Sequence, residues 1–215
     1  MTAYHRYVGL AIVAIALLAG MILAAIIDGP VPIHWDAQGR VDGYMEQPWG
    51  LMVLPGVMLG LFLVFQVIEF ISPRGFRLGS FSRVVGIFQN AVLLFLALVF
   101  AAQLLYTAGI EVAMGQLIML GTGTLFIIIG NFLGKTRKNF FIGIRTPWTL
   151  ASDEVWIRTH RLGGWVFVAC GAVLLGSSFF TASPWFMLPV VISAALIPVV
   201  YSFIAYMRLE GFADD

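Results

Sequence analysis

Six long apolar runs separated by polar segments divide the chain, at residues 8–27, 50–71, 84–106, 116–133, 165–180 and 185–207. A helix needs roughly 20 apolar residues to cross about 30 Å of hydrocarbon. Each run is close to that length, although the fifth is short unless Gly163 and Gly164 join it. Inside a bilayer the backbone must satisfy its own hydrogen bonds, which leaves helices or a closed barrel. Barrel strands alternate polar and apolar positions over about ten residues, and these runs do not. The pattern therefore predicts an all-α integral membrane protein of six transmembrane helices. The first run exceeds the roughly 7 to 15 apolar residues of a signal peptide and reads as a retained span.

Composition agrees: 60% of the 215 residues are hydrophobic and 11% are charged, where a soluble domain carries about 25% charge. A net charge of +1 gives no sign of bulk nucleic-acid binding. The placement of the charges says more. With the N-terminus inside, Arg6, Arg74, Arg77, Arg83, Lys135, Arg137, Lys138, Arg145, Arg158, Arg161 and Arg208 all fall on the cytoplasmic side, and Arg40 alone falls outside. Lys and Arg favour cytoplasmic segments, so the bias predicts both termini inside and supports the count of six. Trp49, Trp165 and Trp185 stand near span ends, as interfacial aromatics do. Cys170, the single cysteine, lies in an apolar run and reads as a packing residue.

Two loops are long: the outer one, 28–49, and the cytoplasmic one, 134–164. The others, 72–82, 107–115 and 181–184, are short. Each half thus reads span, long loop, span, short loop, span. Three spans per half would make any internal repeat inverted, a plan many transporters use.

In the outer loop, Pro30 and Pro32 favour extended backbone. Asp36 to Gly39 reads as a tight turn with Gly39 free to take positive φ, and Asp42-Gly43 as a second turn signal. The expected structure is a hairpin-like cap on the outer face. His34, Asp36 and Asp42 could suggest a metal, but Arg40 would occupy the fifth position of a calcium-type loop and repel the ion. No metal or cofactor is assigned. Trp35 and Tyr44 offer amphipathic contact area, which makes His34, Trp35, Asp36, Asp42 and Tyr44 candidates for recognising an outer ligand, a peptide or a lipid headgroup.

In the cytoplasmic loop, Lys135, Arg137 and Lys138 follow a span directly and suit topology anchoring with attraction to membrane lipids of negative charge. Phe140, Phe141, Ile142 and Ile144 suit a segment lying in the interface. Thr146-Pro147 bars helix at that point. Ser152 is a good N-cap, Asp153 and Glu154 complement a helix N-terminus, and Gly163 is a terminator. These signals predict a short interfacial helix over 153–162, with Trp156, Thr159, His160 and Gly163 on one face.

The cytoplasmic loop carries a specific resemblance. Gly130-Asn131, Asn139-Phe140, the stretch GIRTPWTL at 143–150, Val155-Trp156, Thr159-His160-Arg161 and Gly164 look like the signature of the SdpI family. These are bacterial membrane proteins typified by immunity to a secreted sporulation-delay peptide toxin. Ile33-His34, Gly39 and Asp42-Gly43-Tyr44 resemble the small domain of unknown function that precedes that signature. The resemblance implies an N-terminal two-span region, 1–80, with outer loop 28–49. It also implies a four-span region, 81–215, with motif loop 134–164, in the bacterial inner membrane. It further implies protection against a peptide toxin and, in the typified member, tethering of a small DNA-binding transcriptional autorepressor. Oligomerisation is compatible with this plan.

Polar groups inside a bilayer are costly. Here they are Gln66, Glu69, Gln89, Asn90, Gln103 and Asn131, and all but Gln103 fall in the cytoplasmic half. A helix-end ion pair of Glu69 with Arg74 or Arg83 is one reading. A sharper one is a polar vestibule roofed by 143–150, in which Arg145 pairs with Glu69 or holds an anion. The candidate binding set is then Glu69, Asn90, Asn131, Asn139, Gly143, Arg145, Thr146, Pro147, Trp148, Thr149, Trp156, Thr159 and His160. No span carries an ionised residue at its centre, which weighs against ion-coupled transport.

Three functions remain: an immunity and signalling protein, a small exporter of an amphipathic peptide or lipid, and a membrane-embedded enzyme. The enzyme would need His160 with Glu154 or Asp153. Glu154 lies six positions before His160, which does not stack the two on one helix face.

Overall fold

The computed structural model describes residues 1–73, 76, 78–180 and 183–211. Arg74 and Arg77 of the orientation argument lie outside them. Six helices are long and apolar enough to span a membrane: α1 (Ala3–Ala24), α2 (Trp49–Ile71), α3 (Ser82–Thr107), α4 (Met114–Leu133), α6 (Asp153–Ser177) and α7 (Pro184–Leu209). A short helix α5 (Pro147–Ala151) lies in the motif loop, and strands β1 (Val31–Trp35) and β2 (Val41–Met45) form a hairpin between α1 and α2. Phe70, Phe180 and Trp185 are more than three-quarters exposed, as side chains facing lipid are.

Helices α1, α2 and α3 pack on one another, α3 also packs on α4, and α6 packs on both α4 and α7. The first three enclose a core of Val13, Ala16, Leu51, Met58, Phe62, Leu93 and Phe100, joined from the hairpin by Val31. The two halves differ in pairing. α1 packs firmly on α3, whereas among the described residues the corresponding pair in the second half, α4 and α7, lacks such close packing.

The α4–α6 seam is built on glycines seven apart on each helix. A Cβ on Gly130 would lie 2.6 Å from the Gly164 carbonyl oxygen, and one on Gly171 would lie 2.6 Å from that of Gly123. Helices in lipid gain from such backbone proximity because dispersion, rather than water exclusion, holds them together.

That seam overturns one expectation. The interfacial helix over 153–162 and the fifth span are one continuous helix, α6, and Gly163 does not end it. Gly163 instead allows close packing: a Cβ there would meet Ile144 Cδ1 at 2.6 Å and Leu133 Cδ2 at 3.2 Å.

The hairpin forms as expected at Asp36 to Gly39. Gly39 has φ +79°, and its N–H donates to the Asp36 carbonyl at 2.9 Å. Asp42-Gly43 is not a second turn. It lies in β2, where Gly43 pairs with His34 beside a register irregularity, and a Cβ on Gly43 would sit 2.9 Å from that of His34. The hairpin is latched to the bundle by Gln103 of α3. Its amide Nε2 donates to the carbonyls of Pro32 at 2.8 Å and Gly50 at 2.9 Å.

Candidate functional site

The motif loop is organised by buried side chains that satisfy its backbone. Asn139 is fully buried. Its Oδ1 accepts from the N–H groups of Phe141 and Ile142, and its Nδ2 donates to the carbonyls of Arg137 and Ile142, all within 2.9 Å. Four bonds use the full capacity of the amide. Gly143 follows with φ +114°. The next N–H, of Ile144, donates to His160 Nε2 at 3.0 Å. His160 Nε2 is therefore the unprotonated nitrogen, and Nδ1–H donates to the Trp156 carbonyl at 2.8 Å. The Trp156 ring stacks on His160 at 4.0 Å, and its Nε1 donates to the Thr136 carbonyl at 3.1 Å.

Thr146 caps α5 through a reciprocal box with Thr149, and Pro147 occupies the first helical turn, where a missing N–H costs nothing. Thr149 Oγ1 also donates to the Ile144 carbonyl at 2.8 Å. Two contacts bind α5 to α7: the hydroxyls of Thr146 and Ser202 lie 3.0 Å apart, and the rings of Trp148 and Phe203 lie 5.0 Å apart. Ser152 caps α6 and donates to Glu210 at 2.7 Å. Thr159 is fully buried, and its hydroxyl has no partner among the described residues. Arg145 donates to the Phe140 carbonyl, and the Phe140 ring packs at a tilt against that of Phe76.

The structure thus gathers Asn139, Gly143, Arg145, Thr146, Pro147, Trp148, Thr149, Trp156, Thr159 and His160 around one loop. It separates the other candidates. Glu69 pairs with Arg6 at 2.8 Å and with the N-terminal amine, not with Arg145 or Arg83, because α1 runs along α2 and brings the start of the chain to the end of that helix. Asn90 belongs to a polar chain linking three helices: Gln66 to Gln89 at 2.9 Å, Gln89 to Asn90 at 3.2 Å, and Asn90 to His5 at 3.3 Å. A single vestibule joining Glu69 to Arg145 is therefore absent among the described residues. Asn131 lies apart on α4, its Nδ2 bonded to the Ile127 carbonyl at 2.8 Å.

Among the described residues His160 has no carboxylate partner: Asp153 pairs with Lys138 and Glu154 with Arg158. The Nε2 lone pair, which a general base would use, is occupied by the Ile144 N–H. Among the described residues no group of three His, Cys, Asp or Glu side chains could hold a metal ion.

On the opposite face, a pocket of about 660 Å³ lies beneath the hairpin. His34, Trp35, Asp36 and Asp42 line it together with Val99, Met114, Ile118 and Met187 of α3, α4 and α7. His34 Nδ1 and Asp42 Oδ1 lie 2.5 Å apart. Trp35 packs edge-on against Tyr106, and its buried Nε1–H has no partner in the described chain. Tyr44 is 60% exposed and lies outside the lining. The helix-end contributors Met114 and Met187 escape sequence reasoning: Met114 falls in the short loop 107–115, ahead of the fourth run, and within the last run nothing distinguishes Met187 from residues facing lipid. Ser202 and Glu210 carried a faint signal, as polar groups in or just after the last span.

Residues 135–202 match the model of the SdpI/YfhL protein family, and residues 11–59 match that of a domain of unknown function. The first match holds the motif loop with His160 and Ser202, and the second holds the hairpin. The chain is 30% identical over 206 residues to the Immunity protein SdpI of Bacillus subtilis (strain 168), covering 95% of this chain and 97% of that one. No solved structure matches. Identity at that level across nearly the whole of both chains shows that this multi-pass membrane protein belongs to the SdpI family.

Proposed function

We propose that this chain is a membrane immunity protein that recognises a secreted, membrane-active peptide on its hairpin face and responds through its motif loop. The name of the Bacillus subtilis relative supports immunity. The observation that carries peptide recognition is the pocket beneath the hairpin. About 660 Å³ is within the size of ligand pockets, roughly 300 to 1,000 Å³. Most of its wall is apolar, and its polar groups are few: Asp36 and the His34–Asp42 pair. Such a site suits an apolar side chain of an amphipathic peptide, with the His34–Asp42 pair at its rim to meet the peptide's polar groups. Burial of apolar surface would supply most of the binding free energy.

The lysine and arginine bias supports a hairpin facing outward, where a secreted peptide arrives, and a motif loop facing the cytoplasm. That loop would be the place to hold a small DNA-binding repressor. The reading is non-enzymatic, supported by the engagement of His160 Nε2 and by the pairing of Asp153 and Glu154 with cations.

The test is protection of sensitive bacteria challenged with the sporulation-delay peptide toxin. Trp35→Ala and the pocket-filling Met187→Trp should abolish protection at unchanged membrane abundance, while Tyr44→Ala should not. Arg145→Ala and Trp148→Ala should also abolish it. Full protection by both pocket variants would remove the hairpin pocket as the recognition site.

A further inference from the structure

On the motif-loop face, a second cavity opens between α4 and α6. It measures about 250 Å³ and is lined by Gly130, Asn131, Lys135, Arg161, Gly164 and Trp165. Its origin is the glycine seam. Gly130 and Gly164 bring the two backbones together, and the missing side chains leave a groove where the helices part. Arg161 lies along the end of that groove, its Cγ 3.7 Å from where a Gly134 Cβ would be.

The charges at the groove are uncompensated. Asp153 is paired with Lys138, Glu154 with Arg158, and Glu69 with Arg6. Among the described residues no carboxylate pairs with Lys135 or Arg161. Lys135 rests over the ring of Phe132 at 4.5 Å, which holds its ammonium beside the groove. Asn131 uses its Nδ2 on its own helix.

The depth of the groove indicates the kind of anion. Trp165 is 76% exposed on a helix that crosses the membrane, and exposed tryptophans of spans sit at the headgroup level. Lys135, just past the end of α4, and Arg161, one turn before Trp165 on α6, lie beside it, and Val168 continues the lining one turn deeper into the span. A soluble anion would use the two cations alone. A lipid would use the cations through its phosphate and the apolar wall through its acyl chain, and basic pockets between transmembrane helices bind such headgroups.

We infer that the groove between α4 and α6 is a binding site for one anionic glycerophospholipid, its phosphate held by Lys135 and Arg161. The site is independent of the peptide-recognition reading, since none of its residues lines the hairpin pocket.

Native mass spectrometry of the full chain, released from mixed micelles, tests this with phosphatidylglycerol against phosphatidylcholine as probes. The wild type should retain a single phosphatidylglycerol in preference to phosphatidylcholine. Lys135→Gln with Arg161→Gln should weaken that retention by roughly thirtyfold, the effect of two cations near an anionic headgroup. Arg158→Gln, which removes a paired cation of the same face, should leave it unchanged. Equal retention of the two lipids by the wild type, or wild-type retention by the double variant, would overturn the site. Displacement of the lipid by millimolar inorganic phosphate would overturn the lipid in favour of a free anion. If the double variant fails to insert, photoactivatable phosphatidylglycerol on the wild type decides the matter. Labelling should fall within 130–135 and 161–168, and labelling confined to other segments would overturn the inference.

Discussion

Gly143 and His160 occupy space that no larger residue at 143 could share: a Cβ on Gly143 would collide with Nε2 of the imidazole. The same nitrogen accepts the N–H of Ile144. The motif loop therefore crosses α6 at one fixed point, with a glycine providing clearance and the following amide providing the bond.

Gly143→Ala should loosen this crossing for two reasons. Its φ of +114° is strained for a residue with a Cβ, at a cost of about 1 to 3 kcal/mol, and the methyl group would also displace His160. His160→Ala removes the collision but leaves the Ile144 N–H unpaired, a loss of about 1 to 3 kcal/mol. The double variant should accordingly be less destabilised than the sum of the two singles, because the collision contributes to Gly143→Ala alone and is absent once the imidazole is gone. Thermal unfolding of the four proteins in one detergent measures the coupling. Strict additivity would mean that the two residues do not meet.

Gln103→Leu should release the hairpin without disturbing the spans. The amide donates to two carbonyls, of Pro32 and Gly50, and a leucine of similar size leaves both acceptors bare in a buried setting. The expected loss is about 1 to 3 kcal/mol, concentrated at the hairpin. Hydrogen exchange followed by mass spectrometry should show faster exchange over 31–45 and unchanged exchange in the middle of α3. Uniform acceleration along α3 would instead mark Gln103 as a general packing residue.

The six spans were legible because lipid imposes a length and a polarity that each segment meets by itself. The turn from Asp36 to Gly39 was legible for the same reason, since its chemistry is local. Long-range contacts were not. Gly163 carries a stop signal after the basic turn of Arg158 and Arg161, yet packing against Ile144 and Leu133 decides its role. Glu69 finds Arg6 only because α1 and α2 lie side by side. The motif residues from Asn139 to Thr149 could be picked out by resemblance, but Thr136, which holds Trp156 through its backbone carbonyl, could not, and Ser202 offered only a lone hydroxyl in the last span with nothing to say what it meets.

Orientation follows from the same reasoning and has a direct test. Among the described cations, Arg40 stands on the hairpin face, while Arg6, Arg83, Lys135, Arg137, Lys138 and Arg145 stand at the other ends of the spans. Moving them outward would oppose the positive-inside bias. Alkaline phosphatase fused after residue 40 should be active, and fused after residue 140 inactive, with green fluorescent protein giving the opposite pattern. The reversed result would turn the molecule over and place the motif loop outside the cell.

The hairpin tip should respond to acid through Asp36. Its Oδ1 accepts from the N–H groups of Gln38 at 2.8 Å and Arg40 at 2.9 Å, and its Oδ2 accepts from Arg40 Nε at 2.9 Å. The Arg40 backbone N–H foremost, with the Arg40 side chain and the Gln38 N–H, holds the carboxyl below its ordinary range. A group depressed in the folded state contributes its stabilisation fully above its unfolded value and loses it as the pH falls through the folded one. The tip should therefore be indifferent to pH near neutrality and loosen only under acid conditions below the ordinary carboxylate range. Amide exchange at Gln38 and Arg40, divided by the intrinsic rate at each pH, should show that onset. Asp36→Asn keeps an acceptor oxygen for the two amides but has no proton to gain in that range, so its exchange should be the same above and below the onset. An onset that persists in Asp36→Asn would assign the acid response to a different group.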